Sequence, residues 1–209
     1  MSKNQILQNR YKVENIIGSG AMSDVYLAHD NQLNQPVAIK KLKIQNNESY
    51  AELLTRLKLE ADAIISLDHP LIITLHSFFS IDHDFYLIME YFNGKSLSDI
   101  WSNVTLTQKI QIIKSCSDAL SYIHSHKVIH RDIKPSNILV DDDNITDIRI
   151  IDFGLALSTD YSQIYTNKNF IGSFPYIAPE QTGMLNRTVD SRSDIYSLGA
   201  AFYELLTGN

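Results

Sequence analysis

The stretch from Val128 to Val140, "VIHRDIKPSNILV", constrains the fold of this chain more than any other part of the sequence. It places a histidine, an arginine, an aspartate, a lysine and an asparagine within eight residues, with apolar residues on both sides. Apolar flanks of this kind predict two buried elements joined by a tight polar loop. Such a loop aims several side chains at one point. The sequence therefore predicts an active-site loop held by a packed fold.

The composition is that of a folded globular protein with an acidic balance. The chain has 209 residues, of which 44% are hydrophobic and 20% are charged, and its formal net charge is -6. The length allows one domain or two small ones. The acidic balance argues against a nucleic-acid partner or an anionic membrane surface, because both favour clustered Lys and Arg.

Neither a membrane segment nor a signal peptide is predicted. No apolar run approaches about 18 residues, and the first ten residues lack an apolar core. We therefore expect a cytoplasmic protein. The single cysteine, Cys116, lies in a stretch with helical apolar spacing. We expect a buried core thiol there and assign it no chemistry.

The apolar pattern divides the chain into a first part rich in strands and a second part that is mostly helical. The first part is predicted to hold three strands between Tyr11 and Lys43, one helix in "ESYAELLTRLKLEADAIISL", and the strands "LHSFFSI" and "FYLIMEY". The second part is predicted to hold a long helix in "TLTQKIQIIKSCSDALSYIHSH", with Thr107 as its cap, and the strand pair "NILVD" and "DIRIIDF". A final helix is predicted from Asp194 to Leu206.

The stretch "IGSGAMSDV", residues 17–25, lies between two predicted strands and resembles a phosphate-binding turn. Gly18 and Gly20 let the backbone approach a phosphate without side-chain collision, so that N–H groups can point at the anion. By itself, a hairpin turn with two glycines is more often only a turn. It is not a dinucleotide fingerprint, because a strand follows it and Ser23 occupies the third glycine position.

Lys40 and Lys41 are neighbours in the predicted strand "PVAIKKLK". Side chains alternate between the two faces of a strand, so one of these lysines must point inward. An inward lysine needs an anion, and the candidates are a ligand phosphate and the carboxylate of Glu60 in the next helix. The alternative is an exposed Glu60 that pairs with Arg56 one turn earlier.

Two oxygen ligands follow the catalytic-type loop. Asn137 ends the polar cluster, and Asp152 begins "DFG" at the end of an apolar strand. Amide and carboxylate oxygens suit Mg²⁺, which keeps several waters and takes other ligands from phosphate oxygens. Together with the glycine turn and the lysine strand, they indicate a magnesium nucleotide held for phosphoryl transfer.

With these motifs in hand, the chain resembles a eukaryotic-type protein kinase of the serine/threonine branch. The resemblance runs from about Tyr11 to Gly208, through "GSGAMSDV", "VAIK", Glu60, "HP", "MEYFNG", "HRDIKPSN", "DFG", "APE" and "DIYSLG" in that order. It implies an α+β, two-lobed protein-kinase-like fold. Residues 11–92 would form a small antiparallel β-sheet lobe with one helix, and residues 93–209 an incomplete, mainly helical lobe.

The resemblance also implies roles for individual residues. Asp132 would accept the proton of the substrate hydroxyl, Lys134 would neutralise the charge on the transferred group, and Asn137 and Asp152 would hold Mg²⁺. The residues implied in binding ATP are Ile17, Gly18, Ser19, Gly20, Ala21, Met22, Ser23, Asp24, Val25, Ala38, Lys40, Glu60, Met89, Glu90, Phe92 and Leu139.

Within the implied ATP site, the resemblance distinguishes the phosphates from the adenine. Lys40 would contact the α and β phosphates while paired with Glu60. The adenine would lie between the side chains of Val25, Ala38 and Leu139, with Met89 at the back of its pocket, and would be read by the backbone of Glu90 and Phe92.

The sequence departs from the family pattern in three places. Ser23 replaces the last glycine of the phosphate loop, and Ser173 stands where most serine/threonine kinases carry threonine. The family also continues beyond "LLTGN", so the resemblance implies truncation after the central helix of the second lobe, with Glu180 lacking its usual arginine. We expect that helix to pack on the loop around His130 through Asp194. The apolar side chains expected to lack full packing are Leu198, Phe202, Leu205 and Leu206.

The main functional hypothesis is phosphorylation of serine or threonine hydroxyls on proteins with ATP and Mg²⁺. The main alternative is a nucleotide-binding but non-catalytic signalling module. A small-molecule kinase is disfavoured by Lys134 and by the peptide-docking stretch "GSFPYIAPE". Arg131 before Asp132 indicates regulation by phosphorylation between Ser158 and Thr166, with Thr166 favoured. The last part of the chain resembles kinase modules that open very large bacterial sensor proteins, so downstream domains are expected partners.

Overall fold

The computed structural model describes residues 1–20, 22–43, 49–141, 143–153, 174–182 and 187–208. The chain separates into two compact units. The first consists of Met1–Asp68 and Thr74–Tyr91, and the second of His69–Ile73 and Phe92–Asn209. No helix in the described part of the chain is long and apolar enough to cross a membrane.

The first unit is built from antiparallel strands and one helix. Its elements are β1 (Ile6–Leu7), β2 (Tyr11–Ser19), β3 (Ser23–Asp30), β4 (Gln35–Leu42), α1 (Tyr50–Ile65), β5 (Leu75–Ile81) and β6 (Asp84–Glu90). Among the described residues, the strands form one sheet in the order β1-β2-β3-β4-β6-β5. The predicted strands and helix are confirmed. The sequence does not predict β1, because two residues are too few to show an alternating pattern.

The two faces of this sheet have different environments. Ile39 and Ile88 are fully buried on one face, within an apolar cluster completed by Leu7, Tyr11, Val13, Tyr26, Ala28, Val37 and Tyr86. Helix α1 contacts β5 and buries the helically spaced residues Leu53, Leu57, Ala61 and Ile64. Strand β4 pairs with both β3 and β6, so it lies in the interior of the sheet.

A buried ion pair fastens the start of β2 to the end of β3. Arg10 donates from Nε to Asp30 Oδ1 at 2.8 Å and from Nη2 to Asp30 Oδ2 at 2.6 Å. These bonds, with the backbone N–H groups of Gln32 and Leu33, lower the pKa of the Asp30 carboxyl to about 2. The carboxylate therefore stays charged, and the pair stays formed, to well below pH 4.

The second unit combines a small sheet with helices. Its elements are β7 (Gly94–Ser96), α2 (Leu97–Ile100), α3 (Leu106–Ser125), β8 (Ile138–Asp141), β9 (Ile148–Ile150) and α4 (Ser191–Thr207), with short 3₁₀ turns at Trp101–Asn103, Pro135–Asn137, Phe174–Tyr176 and Pro179–Thr182. Strand β8 pairs with β7 on one side and β9 on the other. The strand pair predicted around the polar loop is therefore confirmed.

Helix α3 begins two residues earlier than its predicted cap implies. Thr105, not Thr107, is the N-cap, and the side chain of Gln108 bonds back to the Thr105 backbone in a capping box. This arrangement satisfies two backbone donors at once, which favours it over a cap inside the first turn. Cys116 lies on the buried stripe of the helix. Burial raises the pKa of its thiol to about 12, in agreement with the prediction of an inert core residue.

Helix α4 begins at Ser191, three residues before the predicted start, because the Asp190 side chain caps it by accepting the Arg192 N–H at 2.9 Å. The prediction of poorly packed Leu198 and Phe202 is wrong, since both are buried. The Phe202 ring lies 5.9 Å from that of Trp101. The exposed large apolar side chains of α4 lie on another face and are Ile195, Tyr196, Tyr203 and Leu206.

Gly94 lies at a close approach between Phe92 and β8. A Cβ atom added at Gly94 would lie 2.6 Å from the Phe92 ring and 2.6 Å from the Val140 carbonyl oxygen. The same ring is held from another side by the Arg149 guanidinium, at 4.9 Å or less: its carbon lies 4.7 Å from the ring centroid. Only glycine fits this position without moving a backbone oxygen or the ring.

We predict that Gly94→Ala lowers the free energy of unfolding by about 1 to 3 kcal/mol, because an extra methyl group overpacks this contact. Gly199→Ala is the matched control, since nothing lies within 4 Å of an added Cβ there. In a helix interior that change is expected to be stabilising by about 0.5 to 1 kcal/mol. Urea denaturation followed by circular dichroism measures both values. Equal effects of the two substitutions would contradict the close-packing argument.

Candidate active site

The polar loop of the second unit is anchored by one buried carboxylate. Asp194, in the first turn of α4, is fully buried. Its Oδ2 accepts the backbone N–H of His130 at 2.9 Å, and its Oδ1 accepts the backbone N–H of Arg131 at 2.8 Å. His124 Nε2, from α3, lies 2.7 Å from Oδ2. The expected link between the final helix and the loop is therefore confirmed.

Arg131 has a backbone conformation that is unusual for a residue with a side chain. Its φ angle is +69°, a left-handed value that costs free energy for non-glycine residues. Hydrogen bonds hold it from both sides, because its N–H donates to Asp194 and its carbonyl accepts from Gln181 Nε2 at 2.9 Å. The conformation is thus imposed by two partners far away in the sequence, and it sets the direction in which the loop continues to Asp132.

Asp132, Lys134 and Asn137 converge on one carboxylate oxygen. Lys134 Nζ donates to Asp132 Oδ2 at 2.7 Å, and Asn137 Nδ2 donates to the same oxygen at 2.8 Å and to the Asp132 carbonyl at 2.7 Å. The Asp132 side chain retains 17% of its accessible surface. Charge-assisted bonds of this kind fix a carboxylate in one orientation while the exposed part can meet a substrate.

The loop is also fastened to the chain directly before Asp152. The Ile151 N–H donates to the Asn137 carbonyl at 2.9 Å, and His130 Nε2 lies 2.9 Å from the Ile151 carbonyl. Because that carbonyl only accepts, Nε2 carries the proton and donates to it. Burial lowers the pKa of His130, and its ring packs 4.6 Å from that of Phe153. His130 therefore supports the backbone as a neutral residue.

Asp152 shares the strained backbone type of Arg131, with φ of +63°. Such conformations concentrate at functional sites, because only a well-determined surrounding structure keeps them. The backbone bonds at Ile151 fix the approach of the chain to this residue. Four predicted residues, Asp132, Lys134, Asn137 and Asp152, are thus held in one connected region of the second unit.

In the first unit, the two neighbouring lysines of β4 lie on opposite faces, as predicted. Lys41 Nζ contacts Asp84 Oδ2 at 2.5 Å and lies 5.9 Å from the centroid of the Tyr86 ring, next to the apolar cluster. Lys40 therefore shares the other face with Ala38, which is 7% exposed. Val25 is directly opposite Lys40 in the β3–β4 pairing. This face carries the residues predicted to meet the nucleotide.

The predicted phosphate-binding stretch is a hairpin between β2 and β3. Gly18 pairs with Val25 and Ser19 with Asp24, and the Gly20 N–H donates to the Ser23 carbonyl at 2.9 Å. The hairpin is also exposed: Ile17 retains 45% of its accessible surface and Met22 43%. Ala21 lies outside the described residues, as does the whole predicted regulatory stretch with Thr166 and Ser173.

The remaining predicted residues have partners that the sequence does not show. Glu60 Oε1 lies 4.0 Å from Arg56 Nη1 one turn earlier in α1, and the pairing of Glu60 with Lys40 stays a prediction. The Glu90 N–H donates to the Thr74 carbonyl at 2.9 Å. Met89 is 8% exposed, and Leu139 is half-buried in β8.

Sequence reasoning missed two residues that support the loop, Gln181 and His124. Gln181 is 2% exposed and lies one residue after the glutamate of "APE", so a buried amide inside a polar turn was its only signal. It also missed the partner of Glu180, whose Oε1 accepts the Ser193 hydroxyl at 2.6 Å. Where the sequence indicates a glutamate without its usual arginine, the structure provides a hydroxyl donor from α4.

Comparison with known proteins agrees with this geometry. The protein kinase domain family matches residues 11–209. This chain belongs to the protein kinase family. It is 36% identical to the serine/threonine-protein kinase PrkC of Bacillus subtilis over 97% of its own length and 31% of PrkC. It is also 36% identical to the serine/threonine-protein kinase PknB of Mycolicibacterium smegmatis, over 100% of its length and 34% of PknB.

Solved kinase structures share the fold. The PknI kinase domain of Mycobacterium tuberculosis superposes with a TM-score of 0.77 at 23% identity, covering 100% of this chain and 77% of that one. Rad53 superposes with a TM-score of 0.73 at 27% identity, covering 96% of this chain and 49% of that one. The kinase-like fold predicted from the motifs is confirmed. The chain spans about a third of the length of the curated relatives that it matches.

We predict that Asp194→Asn lowers the free energy of unfolding by about 1.5 to 3 kcal/mol, because an amide nitrogen replaces one of two buried oxygens that accept backbone N–H groups. Asp190→Asn, three residues before α4's buried aspartate repeat position at 194 and exposed, is the matched control and is expected to change stability little, since Asn also caps helices well. Urea denaturation measures both. Similar small losses for the two variants would show that Asp194 does not anchor the loop.

Proposed function

We propose that this kinase domain transfers the γ-phosphoryl group of ATP to serine or threonine hydroxyls on proteins, with Mg²⁺. The observation that carries the proposal is the Asp132 carboxylate, which Lys134 and Asn137 hold at 2.7 and 2.8 Å. A partly exposed carboxylate in a fixed orientation is suited to accept a hydroxyl proton. The names of the relatives PrkC and PknB support the serine/threonine class.

The donor set fits a magnesium ion. Both amide hydrogens of Asn137 point at Asp132, so its carbonyl oxygen Oδ1 is the atom that would bind a cation, together with the Asp152 carboxylate. In the described part of the chain, no group of three or more His, Cys, Asp or Glu could hold a metal. Two protein oxygens are nevertheless what Mg²⁺ needs when phosphate and water complete its shell. When bound, the ion would neutralise charge on the phosphates.

Asp132 and Lys134 have complementary roles in the proposed reaction. The serine or threonine hydroxyl oxygen forms a bond to the γ-phosphorus, the bond from that phosphorus to the β–γ bridging oxygen breaks, and ADP leaves. Asp132 orients the hydroxyl and takes its proton, while Lys134 offsets the charge on the transferred oxygens. Phosphorylated product, ADP and one proton held by Asp132 balance the reactants.

For the nucleotide, the proposal uses the exposed hairpin and one face of β4. Backbone amides from Gly18 to Val25 would cover the phosphates, Lys40 would contact the α and β phosphates, and Ala38 would contact the adenine. Rad53, which superposes on this chain, was solved with AMP-PNP, an analogue of ATP. A nucleotide ligand is therefore consistent with the fold that the two proteins share.

A nucleotide-binding module without catalysis is the alternative. It would need ATP binding but no role for Asp132. The complete set Lys40, Glu60, Asp132, Asn137 and Asp152 favours catalysis, since a module that only binds has no need of the proton acceptor. Comparing binding with turnover in one variant separates the two hypotheses.

We predict that Asp132→Asn reduces kcat for phosphorylation of a serine-containing protein by about 10² to 10⁴-fold, which is the usual contribution of a general base. Its dissociation constant for AMP-PNP should change less than threefold, on the order of a conservative polar exchange. Asp147→Asn, an equally conservative change in the same unit, should retain activity. Radiolabelled ATP measures turnover. Retention of full activity by Asp132→Asn would refute the catalytic assignment.

The exposed face of α4 supports a second part of the proposal, that further protein residues cover it in the complete kinase. Ile195, Tyr196 and Tyr203 are 55%, 49% and 63% exposed. They line a groove of about 630 Å³ together with Pro175, Gly199, Ala200 and Glu204. One wall of this groove is the Glu204 carboxylate, which accepts the Tyr176 hydroxyl and raises the pKa of Tyr176 to about 12.

We predict that Ile195→Ser changes the unfolding free energy of the 209-residue chain by no more than about 0.5 kcal/mol, as for an exposed residue. In a longer form that includes downstream residues, the same change should cost about 1.5 to 3 kcal/mol, because the side chain is then buried. Chemical denaturation of the four proteins gives both differences. An equal effect in the two backgrounds would show that no downstream segment covers α4.

A further inference from the structure

The turn of the phosphate-binding hairpin is tied to the end of β4 by one lysine. Lys43, the residue directly after β4, donates from Nζ to the Gly20 carbonyl at 3.0 Å and lies 2.6 Å from Asp24 Oδ1. Its backbone N–H donates to the Met22 carbonyl at 2.8 Å. Lys43 thus contacts the hairpin at three points, two on the turn and one on β3.

Asp24 joins the two arms of the hairpin to this lysine. Its Oδ1 accepts the Ser19 hydroxyl at 2.6 Å as well as facing Lys43 Nζ. The bond to Lys43, followed by that to Ser19, lowers the pKa of Asp24. Asp24 is therefore charged at neutral pH and links β2, β3 and the residue after β4.

The anchor of this network is more rigid than the turn that it holds. Strand β4 is bonded on both sides, to β3 and β6, and Ile39 within it is fully buried. The hairpin tip, by contrast, is exposed, with Met22 at 43%. A glycine turn left to itself has many backbone conformations, and ordering it on binding would reduce affinity. A tie from β4 removes part of that cost beforehand.

We propose that Lys43 and Asp24 form a clamp that pre-orders the phosphate-binding turn, which makes Lys43 a positioning residue for ATP. Its ammonium group faces the Gly20 carbonyl and the Asp24 carboxylate, so its role is to orient the backbone that meets the phosphates. The inference rests on the proposed function, since ATP is the ligand whose affinity the clamp would raise.

The clamp predicts a specific pattern in the Lys43→Met variant. Affinity for AMP-PNP and KM for ATP should both worsen by roughly three- to tenfold, as for the loss of one or two exposed charge-assisted bonds. The kcat value should stay within about twofold, because the transfer residues of the second unit are unchanged. Amide hydrogens of residues 17–25 should exchange faster in the absence of nucleotide. Lys43→Arg, which keeps the charge and the donors, should restore all three values.

Lys41→Met is the matched control. Lys41 is in the same strand, and its ion pair with Asp84 has a similar length and exposure, yet it lies on the other face and does not contact the hairpin. The control should leave nucleotide affinity and exchange at residues 17–25 unchanged. Equal effects of Lys41→Met and Lys43→Met would overturn the clamp as a specific device.

The measurements distinguish failure of the clamp from failure of the proposed function. If the parent chain binds AMP-PNP and Lys43→Met binds it equally well, the positioning role is wrong and the proposed function stands. If the parent chain binds no AMP-PNP, both are wrong. Unchanged exchange at residues 17–25 in Lys43→Met would overturn the clamp whatever the nucleotide result.

Discussion

The buried carboxylate of Asp194 is the interaction on which the rest of the active-site loop depends. It accepts two consecutive backbone N–H groups, at 2.9 and 2.8 Å, from His130 and Arg131. A buried charge is costly unless it is fully bonded, so this carboxylate and the loop stabilise each other only in one arrangement. That arrangement includes the left-handed backbone of Arg131, and from it follows the position of Asp132.

Strength of the loop comes from elements that have no part in the chemistry. His130 bonds to the chain before Asp152, and Gln181 bonds to the Arg131 carbonyl. The first unit uses the same principle, because Lys43 ties an exposed glycine turn to an interior strand. In both units, the groups that would touch substrate are exposed, and their orientation is set by buried or paired groups behind them.

The sequence predicted what depends on local pattern. The flanks of "HRDIKPSN", the alternation of Lys40 and Lys41, and the strand and helix periods all appear in the structure, because each depends on neighbours a few residues away. The true cap of α3 was also readable, since Thr105 and Gln108 have capping-box spacing. The roles of the nucleotide and magnesium residues remain predictions.

Other features depend on contacts between distant segments and could not be read locally. Gln181 meets Arg131 across 50 residues, and no period in the sequence encodes that meeting. The burial of Phe202 was predicted wrongly for the same reason, because the face of α4 that packs is decided by Trp101 on another element. Local pattern shows that a helix has an apolar stripe, but the neighbouring elements decide which part of it is covered.

Amide hydrogen exchange at His130 and Arg131, resolved by NMR in the parent chain, tests the central claim most directly. Amides bonded to a buried carboxylate open only when the surrounding structure opens. The account predicts that these two amides exchange as slowly as the buried core of α3, although they lie in a loop. Exchange at the rate of exposed loop amides would show that Asp194 does not hold the loop, and would contradict the account.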